Sequence, residues 1–138
     1  MRPFEYTAPA AVADVIELLD AGTNVRPLAG GTDLLTLMKA DLAAPAQLVN
    51  IKQLEDLPRG IEERDGGLSI GALTTLAEIE TSAVVKKRFA ALAEAAGLAA
   101  TPQLRNIATL GGNLLQRPRC WYFRNSQFNC WLKGGDAC

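Results

Sequence analysis

Residues 25 to 39 read VRPLAGGTDLLTLMK, and this stretch decides the fold. Val25 to Ala29 is a short, mostly apolar run with the length of a buried strand, whereas Leu34 to Lys39 is typical of a helix. The turn Gly30-Gly31-Thr32-Asp33 joins the two. A strand that enters a helix through a glycine turn predicts an α/β unit.

The flanking sequence extends this alternation. Upstream, apolar residues recur at helical spacing from Val12 to Leu19, and Gly22 is expected to end that helix. Downstream, Gln47 to Ile51 is another short apolar run. Helix, strand, helix and strand therefore follow one another, which predicts a first α/β subdomain with a parallel pair of strands over residues 1–56.

A different pattern begins near residue 57. Residues 60–64 and 68–71 flank Asp65-Gly66-Gly67, which predicts a hairpin because Asp-Gly tolerates a turn with positive φ. Three helices are expected after it: one from the capping box Thr75 to Glu78, one over residues 83–96 ended by Gly97, and one from Thr101-Pro102. The predicted fold class is α+β, with an α/β subdomain followed by a mixed subdomain over residues 57–138.

Composition excludes several classes of function. The 138 residues contain no histidine, so a histidine base or a histidine-containing metal site is excluded. The net charge of −1 provides no overall field for nucleic acid or membrane. No apolar run has the length of a membrane span, and the N-terminus is typical of a cytosolic protein, so a cytoplasmic localisation is expected.

Two glycine turns are candidates for ligand binding. In the turn over residues 29–33, backbone N–H groups are able to approach an anion, and the following helix start favours negative charge. The turn matches neither of the common nucleotide-binding glycine motifs, and a purely structural tight turn is the alternative. A second cluster, Thr109-Leu110-Gly111-Gly112-Asn113, follows a short helix, and both turns together predict one shared cofactor site.

The segment from residue 117 to residue 138, here called the tail, has an unusual composition. It contains all three cysteines, Cys120, Cys130 and Cys138, and five of the eight aromatic residues. Zinc normally requires four ligands in close pairs, whereas iron–sulfur clusters accept wider spacings. Three free buried thiols are the alternative, and stacking on single-stranded nucleic acid is a weaker one. Without a complete metal site, we expect the tail to be poorly ordered, ordered by a partner, or packed only through Trp121, Phe123 and Trp131.

Both glycine motifs together resemble a known family. Residues 27–34 (PLAGGTDL), 70–74 (IGALT) and 101–114 (TPQLRNIATLGGNL) are similar to the FAD-binding subunit of the molybdenum hydroxylases, which include xanthine dehydrogenase, carbon monoxide dehydrogenase and aldehyde oxidoreductases. The resemblance covers the N-terminal part of the family's usual length and implies a truncated form of its FAD-binding fold.

The resemblance implies which residues bind FAD. The first motif would hold the pyrophosphate through its backbone N–H groups and the Thr32 hydroxyl, and a side chain at Gly31 would displace the phosphate oxygens. Residues of the second motif would contact the flavin side, and Ala99 would lie nearby. The implied set is Pro27, Leu28, Ala29, Gly30, Gly31, Thr32, Asp33, Leu34, Ala99, Thr109, Leu110, Gly111, Gly112 and Asn113.

The tail resembles an insertion that only some family members have, such as hydroxybenzoyl-coenzyme A reductases and bacterial aldehyde oxidoreductases. There it carries a [4Fe-4S] cluster on four cysteines. Cys120, Cys130 and Cys138 would be three of these ligands, and the fourth is expected beyond residue 138. The implied partners are a molybdopterin-binding large subunit and a [2Fe-2S] small subunit.

The resemblance implies an oxidoreductase subunit that passes electrons through FAD and has no catalytic acid–base residue of its own. The alternative function is a non-enzymatic metal-binding or interaction module that uses the cysteine-rich tail. A third interpretation is a remnant that folds and binds nothing.

Overall fold

Three parallel strands form the first sheet in the computed structural model, which describes residues 1–138. The sheet has the order β1-β3-β2, with β1 Glu5–Thr7, β2 Val25–Leu28 and β3 Gln47–Asn50. Helix α1 (Val12–Ala21) connects β1 to β2, and α2 (Leu34–Lys39) connects β2 to β3. The parallel pairing of β2 and β3 confirms the prediction, while β1 was too short to be recognised by its pattern.

The core of this first part lies on both faces of β3. Val49 packs with Val15 of α1 and with Leu54 after the sheet, and Leu48 packs with Leu28 and Met38. Both Asp56 carboxylate oxygens accept the Val12 backbone N–H, at 3.0 and 2.9 Å. Since the residue preceding α1 provides no side-chain cap, Asp56 satisfies a helix end from outside the helix.

The second part begins with an antiparallel hairpin and continues with short helices. Strands β4 (Ile61–Arg64) and β5 (Gly67–Ile70) are joined by Asp65 and Gly66, which have φ values of 50° and 77°. The predicted hairpin is therefore confirmed. The helices are α3 (Leu76–Thr81), α4 (Ala83–Arg88), α5 (Ala90–Leu98), α6 (Pro102–Arg105) and α7 (Leu110–Leu114).

One predicted helix is wrong in two respects. Residues 83–96 form two helices instead of one, because Phe89 has φ −138° and ψ 52°, values outside the helical region. Gly97 does not end α5, which continues to Leu98, and the residue with positive φ after it is Ala100 at 54°.

The tail contains one 3₁₀ turn, Trp131–Lys133, and otherwise lacks regular structure. It packs against the first part: Phe123 and Cys130 form a small buried cluster with Leu37 of α2. The sequence expectation is wrong for the two tryptophans, because Trp121 is 88% exposed and Trp131 is 60% exposed.

None of the α-helices combines the length and the apolar character that crossing a bilayer would require.

Candidate cofactor-binding site

A cleft of about 960 Å³ lies where the first glycine turn, the second glycine cluster and the tail meet. All eight residues of the first motif line it: Pro27, Leu28, Ala29, Gly30, Gly31, Thr32, Asp33 and Leu34. The second motif contributes Thr109, Gly111 and Gly112. The structure thus brings together two motifs that are more than sixty residues apart in the sequence.

The first turn offers a row of free backbone donors. None of the five N–H groups from Ala29 to Asp33 donates a hydrogen bond to any backbone or side-chain acceptor of the chain. These residues are half-buried, so N–H groups without acceptors carry a free-energy cost unless water or a ligand accepts from them. Successive amides of this kind form an anion-binding concavity.

The two glycines of this turn are required for different reasons. Gly31 has a φ of +74°, which disfavours any side chain, and a Cβ there would lie 3.0 Å from Leu35 and 3.2 Å from Leu28. A Cβ on Gly30 would lie 2.1 Å from the carbonyl oxygen of Ile107. Within the chain, a side chain at Gly31 would thus contact two leucines, and its displacement of phosphate oxygens stays a prediction.

The second cluster differs from the first because its own backbone uses its amides. The Gly111 N–H donates to the carbonyl oxygen of Ala72 at 2.9 Å, and the Gly112 N–H donates to the Thr109 hydroxyl at 3.2 Å. The Asn113 N–H donates to the Thr109 carbonyl oxygen at 2.8 Å. This side of the cleft therefore provides a close backbone surface and the Thr109 hydroxyl rather than free amides.

Three predicted site residues lie outside the cleft lining: Ala99, Leu110 and Asn113. Ala99 and Leu110 pack against the core of the second part, which surrounds Ile79 and Val85. Asn113 lies on α7 and is half-buried. A direct contact between these three residues and a cofactor stays a prediction.

Asp33 carries the strongest electrostatic interaction of the site. Its carboxylate accepts the Arg117 N–H at 2.9 Å and the Arg124 Nη2–H at 2.6 Å, while Arg119 Nη2 lies 3.8 Å away. Burial acts to raise the pKa of Asp33, but these hydrogen bonds and the arginine charges outweigh it and lower the pKa below its usual value. Asp33 is thus ionised and directed at the tail.

Sequence reasoning missed the contribution of the tail to the cleft. Its wall includes Arg117, Phe123, Phe128, Cys130 and Lys133. The signal was the excess of basic over acidic residues after position 104, five against one, whereas residues 1–104 carry nine against fourteen. This basic segment meets the acidic part of the chain at Asp33, which accepts hydrogen bonds from Arg117 and Arg124.

The three cysteines are not gathered into a metal site. Cys130 is buried, Cys120 and Cys138 are exposed, and no group of three cysteine or carboxylate side chains in the chain is arranged to hold a metal ion. As they stand, these residues do not fit a [4Fe-4S] cluster, which takes four thiolates.

The first turn, by contrast, fits the phosphates of a dinucleotide. It combines unbonded amides, a glycine with positive φ and an opening onto a cleft of the size that cofactors occupy. An extended cofactor bound there would also reach the Thr109 side of the cleft.

Comparison with known proteins agrees with this geometry. The carbon monoxide dehydrogenase medium chain of Hydrogenophaga pseudoflava is 42% identical over 112 residues, which are 80% of this chain and 39% of that protein. The aldehyde oxidoreductase FAD-binding subunit PaoB of Escherichia coli is 37% identical over 131 residues, 94% of this chain and 41% of that protein. The chain thus spans about two fifths of the length of these relatives.

Solved structures agree as well. Carbon monoxide dehydrogenase from Hydrogenophaga pseudoflava, in a form that lacks the Mo-pyranopterin moiety, matches with a TM-score of 0.76 and 42% identity over 83% of this chain and 40% of that chain. Quinoline 2-oxidoreductase from Pseudomonas putida 86 matches with a TM-score of 0.77 and 34% identity over 82% and 39%. The family described as the FAD binding domain in molybdopterin dehydrogenase matches residues 2–130. The chain belongs to this family of FAD-binding domains of molybdopterin dehydrogenases.

Proposed function

We propose that this chain binds FAD in the cleft and serves as part of the electron-transfer subunit of a molybdenum-containing hydroxylase. The observation that carries the proposal is the row of five unbonded amides from Ala29 to Asp33 at the wall of the cleft. FAD supplies the chemistry that couples one-electron and two-electron transfers. The chain's residues bind and orient this cofactor.

Each part of the cleft has a role in this proposal. The amides of residues 29–33 donate to the pyrophosphate oxygens, and the Thr32 hydroxyl is an additional donor at the same turn. Thr109 faces the cleft from the second motif, where its hydroxyl oxygen accepts the Gly112 N–H and its proton stays available for a ligand. No side chain is required to act as an acid or base.

The partners follow from the same proposal. Electrons would pass between this subunit, a small subunit with [2Fe-2S] centres and a molybdopterin-binding large subunit. Support comes from the relatives, which are named as medium chains or FAD-binding subunits of dehydrogenases and oxidoreductases. A cytoplasmic localisation belongs to this proposal as well.

Amide signals of ¹⁵N-labelled chain provide a direct test of FAD binding. Titration with FAD is expected to shift the amides of residues 29–33 most strongly, because they gain charged acceptors. ADP, which has a pyrophosphate, is expected to shift the same amides, whereas riboflavin, which has none, is expected to leave them in place. Tight FAD binding with these five amides unmoved would contradict the proposed pyrophosphate site.

A matched pair of threonine variants tests the side-chain contribution. Thr32→Val removes a hydroxyl at the cleft and is expected to raise the FAD dissociation constant about tenfold, which corresponds to one lost hydrogen bond to a charged group. Thr81→Val removes the same group from an exposed position on α3, outside the cleft lining, and is expected to leave FAD affinity unchanged. Equal affinity of both variants would remove Thr32 from the site.

We further propose that the tail belongs to the iron–sulfur subtype of the family when a fourth cysteine is supplied from outside residues 1–138. The alignment with PaoB takes in 94% of this chain, against 80% for the carbon monoxide dehydrogenase medium chain, so it extends over most of the tail. Cluster formation would require Cys130 to leave its contact with Leu37 and Phe123.

Iron analysis tests this second proposal. In a longer chain that includes the next cysteine, anaerobic reconstitution is expected to give about four irons per chain. Cys130→Ser is expected to lower that iron content because it removes one of the proposed thiolate ligands. Iron content that does not respond to Cys130→Ser, or zinc in anaerobically purified protein, would contradict the cluster assignment.

A further inference from the structure

Asp33 is the last residue of the proposed phosphate-binding turn, a position where a negative charge alone would oppose an anionic ligand. Its side chain is only 15% exposed, and its hydrogen-bond partners all belong to the tail. Arg124, which donates to it at 2.6 Å, is similarly covered, with 17% of its side chain exposed. The pair is therefore shielded from the screening that weakens surface ion pairs.

The tail has several hydrogen bonds between its own residues. Arg124 donates through Nε to the Pro118 carbonyl oxygen at 2.7 Å and through Nη2 to that of Arg117 at 2.8 Å. Lys133 Nζ donates to the carbonyl oxygens of Tyr122, at 2.9 Å, and of Asn125. These internal bonds hold the segments of the tail together, in addition to its contacts with Asp33.

Apolar contacts complete the docking. Phe123 is 5% exposed and packs with Cys130 against Leu37. The guanidinium groups of Arg117 and Arg124 lie 5.2 and 5.8 Å from the centre of the Phe123 ring. The same residue, Arg117, lines the cleft together with Lys133. The docked tail thus brings Arg117 and Lys133 into the lining of the cleft that also contains the free amides.

We infer that the tail is the outer wall of the FAD cleft and that Asp33 is the positioning residue that holds this wall in place through Arg124 and the Arg117 backbone. This inference rests on the proposed FAD-binding function and adds a second half to its site. Asp33 acts on FAD through the tail, which it holds at the edge of the cleft.

Anchoring of the tail by Asp33 and simple charge repulsion predict opposite effects of Asp33→Asn on FAD affinity. If the Asp33 carboxylate acted on FAD only through its charge, Asp33→Asn would tighten FAD binding. As an anchor of the wall, Asp33→Asn is expected to weaken FAD binding about tenfold. Arg124→Gln is expected to weaken it similarly, the double variant is expected to be no weaker than either single variant, and Arg124→Lys is expected to recover part of the loss.

Thiol reactivity measures docking independently of FAD. In metal-free, reduced wild-type chain, the exposed Cys120 and Cys138 are expected to react quickly with a disulfide reagent, and the buried Cys130 slowly. Asp33→Asn and Arg124→Gln are expected to raise the rate at Cys130 at least tenfold, and saturating FAD is expected to slow it in wild type. Asp20→Asn, at an exposed position in α1, is the matched control and is expected to change neither reading.

The outcomes distinguish the failure of FAD binding from the failure of the tail as the wall of the cleft. Wild-type chain that binds no FAD would overturn the proposed function and the wall with it. Wild-type chain that binds FAD, with Asp33→Asn equal to it or tighter, would overturn the wall alone. Unchanged Cys130 reactivity in both anchor variants would show that Asp33 and Arg124 do not hold the tail.

Discussion

Gly30 is the residue at which the two glycine motifs touch. The position that its side chain would occupy is filled by the backbone of Ile107, whose carbonyl oxygen lies 2.1 Å from the ideal Cβ and whose carbonyl carbon lies 2.9 Å from it. Backbone atoms of another segment cannot rotate out of the way as a flexible side chain does. Gly30 therefore sets how closely the two sides of the cleft approach each other.

Gly30→Ala is expected to lower the free energy of unfolding by about 1–3 kcal/mol, the usual cost of forcing an extra methyl group into a packed region. Gly67→Ala is the matched control, because its Cβ would meet nothing closer than the Arg64 carbonyl oxygen at 3.7 Å. Urea unfolding measures both, and the control is expected to change by less than about 0.5 kcal/mol. Equal stability of the two variants would show that the contact with Ile107 yields without cost.

For single residues, the sequence predicts which ones line the cleft better than it predicts the contacts that require them. The first motif was expected at the cofactor, and all of it lines the cleft. The reason for Gly30, however, is a contact with a residue 77 positions away, and no local pattern reveals such a contact. Local turn chemistry accounts for Gly31 alone.

Helix α3 shows how well a local signal predicts an element. The Thr75 hydroxyl accepts the Glu78 N–H at 3.2 Å, and Glu78 Oε2 accepts the Thr75 N–H at 2.6 Å, as the capping box predicts. The hydrogen bond from the Thr75 backbone, followed by that from its hydroxyl, lowers the pKa of Glu78 below its usual value of 4.5. A carboxylate with a lowered pKa stabilises the fold most when ionised.

The contribution of Glu78 to stability is expected to depend on pH. Because its folded pKa is depressed, the contribution is fully present above its usual value of 4.5 and is lost as pH falls through the folded pKa. Glu78→Gln is therefore expected to be less stable than wild type at pH 7 and to match it near pH 2. Urea unfolding at both values measures this, and an equal difference at both would contradict it. Glu94→Gln, on the exposed side of α5, is the control.

Longer elements were predicted less accurately than this cap. Residues 83–96 have a continuous apolar stripe, and yet the chain breaks at Phe89. The break turns the chain so that α5 packs with α3, whose Ile79 forms one core with Val85, Ala93 and Ala96. Periodicity reports which residues are buried and cannot report a change of direction between them.

The whole molecule combines a long acidic segment with a short basic one. Residues 1–104 have an excess of acidic groups and the remainder an excess of basic groups, and Asp33 meets Arg124 across 91 positions. The sequence revealed the asymmetry without revealing its contacts. The cysteine spacing predicts a metal site in the tail, whereas docking through Phe123 and Arg124 is a long-range property that only the folded chain shows.

The surface of the whole chain has several large apolar residues that no part of the chain covers. Leu98, Leu114, Leu115 and Trp121 are each at least 75% exposed. Exposed apolar groups of this size favour association, so the chain is expected to self-associate as its concentration rises.

Leu114→Ser is expected to raise the concentration at which association begins and to change the free energy of unfolding by less than about 0.5 kcal/mol. Ile16→Ser, at a position on α1 that is 53% exposed, is the control and is expected to have a smaller effect on association. Sedimentation across a concentration series measures both variants. A chain that stays monomeric throughout, or a Leu114→Ser variant that associates like wild type, would contradict this expectation.

The five unbonded amides from Ala29 to Asp33 also have a kinetic consequence. Amide hydrogens without acceptors exchange with solvent deuterium quickly, even beside a stable strand, because no opening of the structure has to precede the exchange. The amide hydrogens of the turn are therefore expected to exchange quickly, whereas those of the flanking elements β2 and α2 exchange slowly. A ligand that accepts hydrogen bonds from these amides slows their exchange. Ligand binding would therefore be detected as reduced deuterium uptake in the one short peptide that contains the turn.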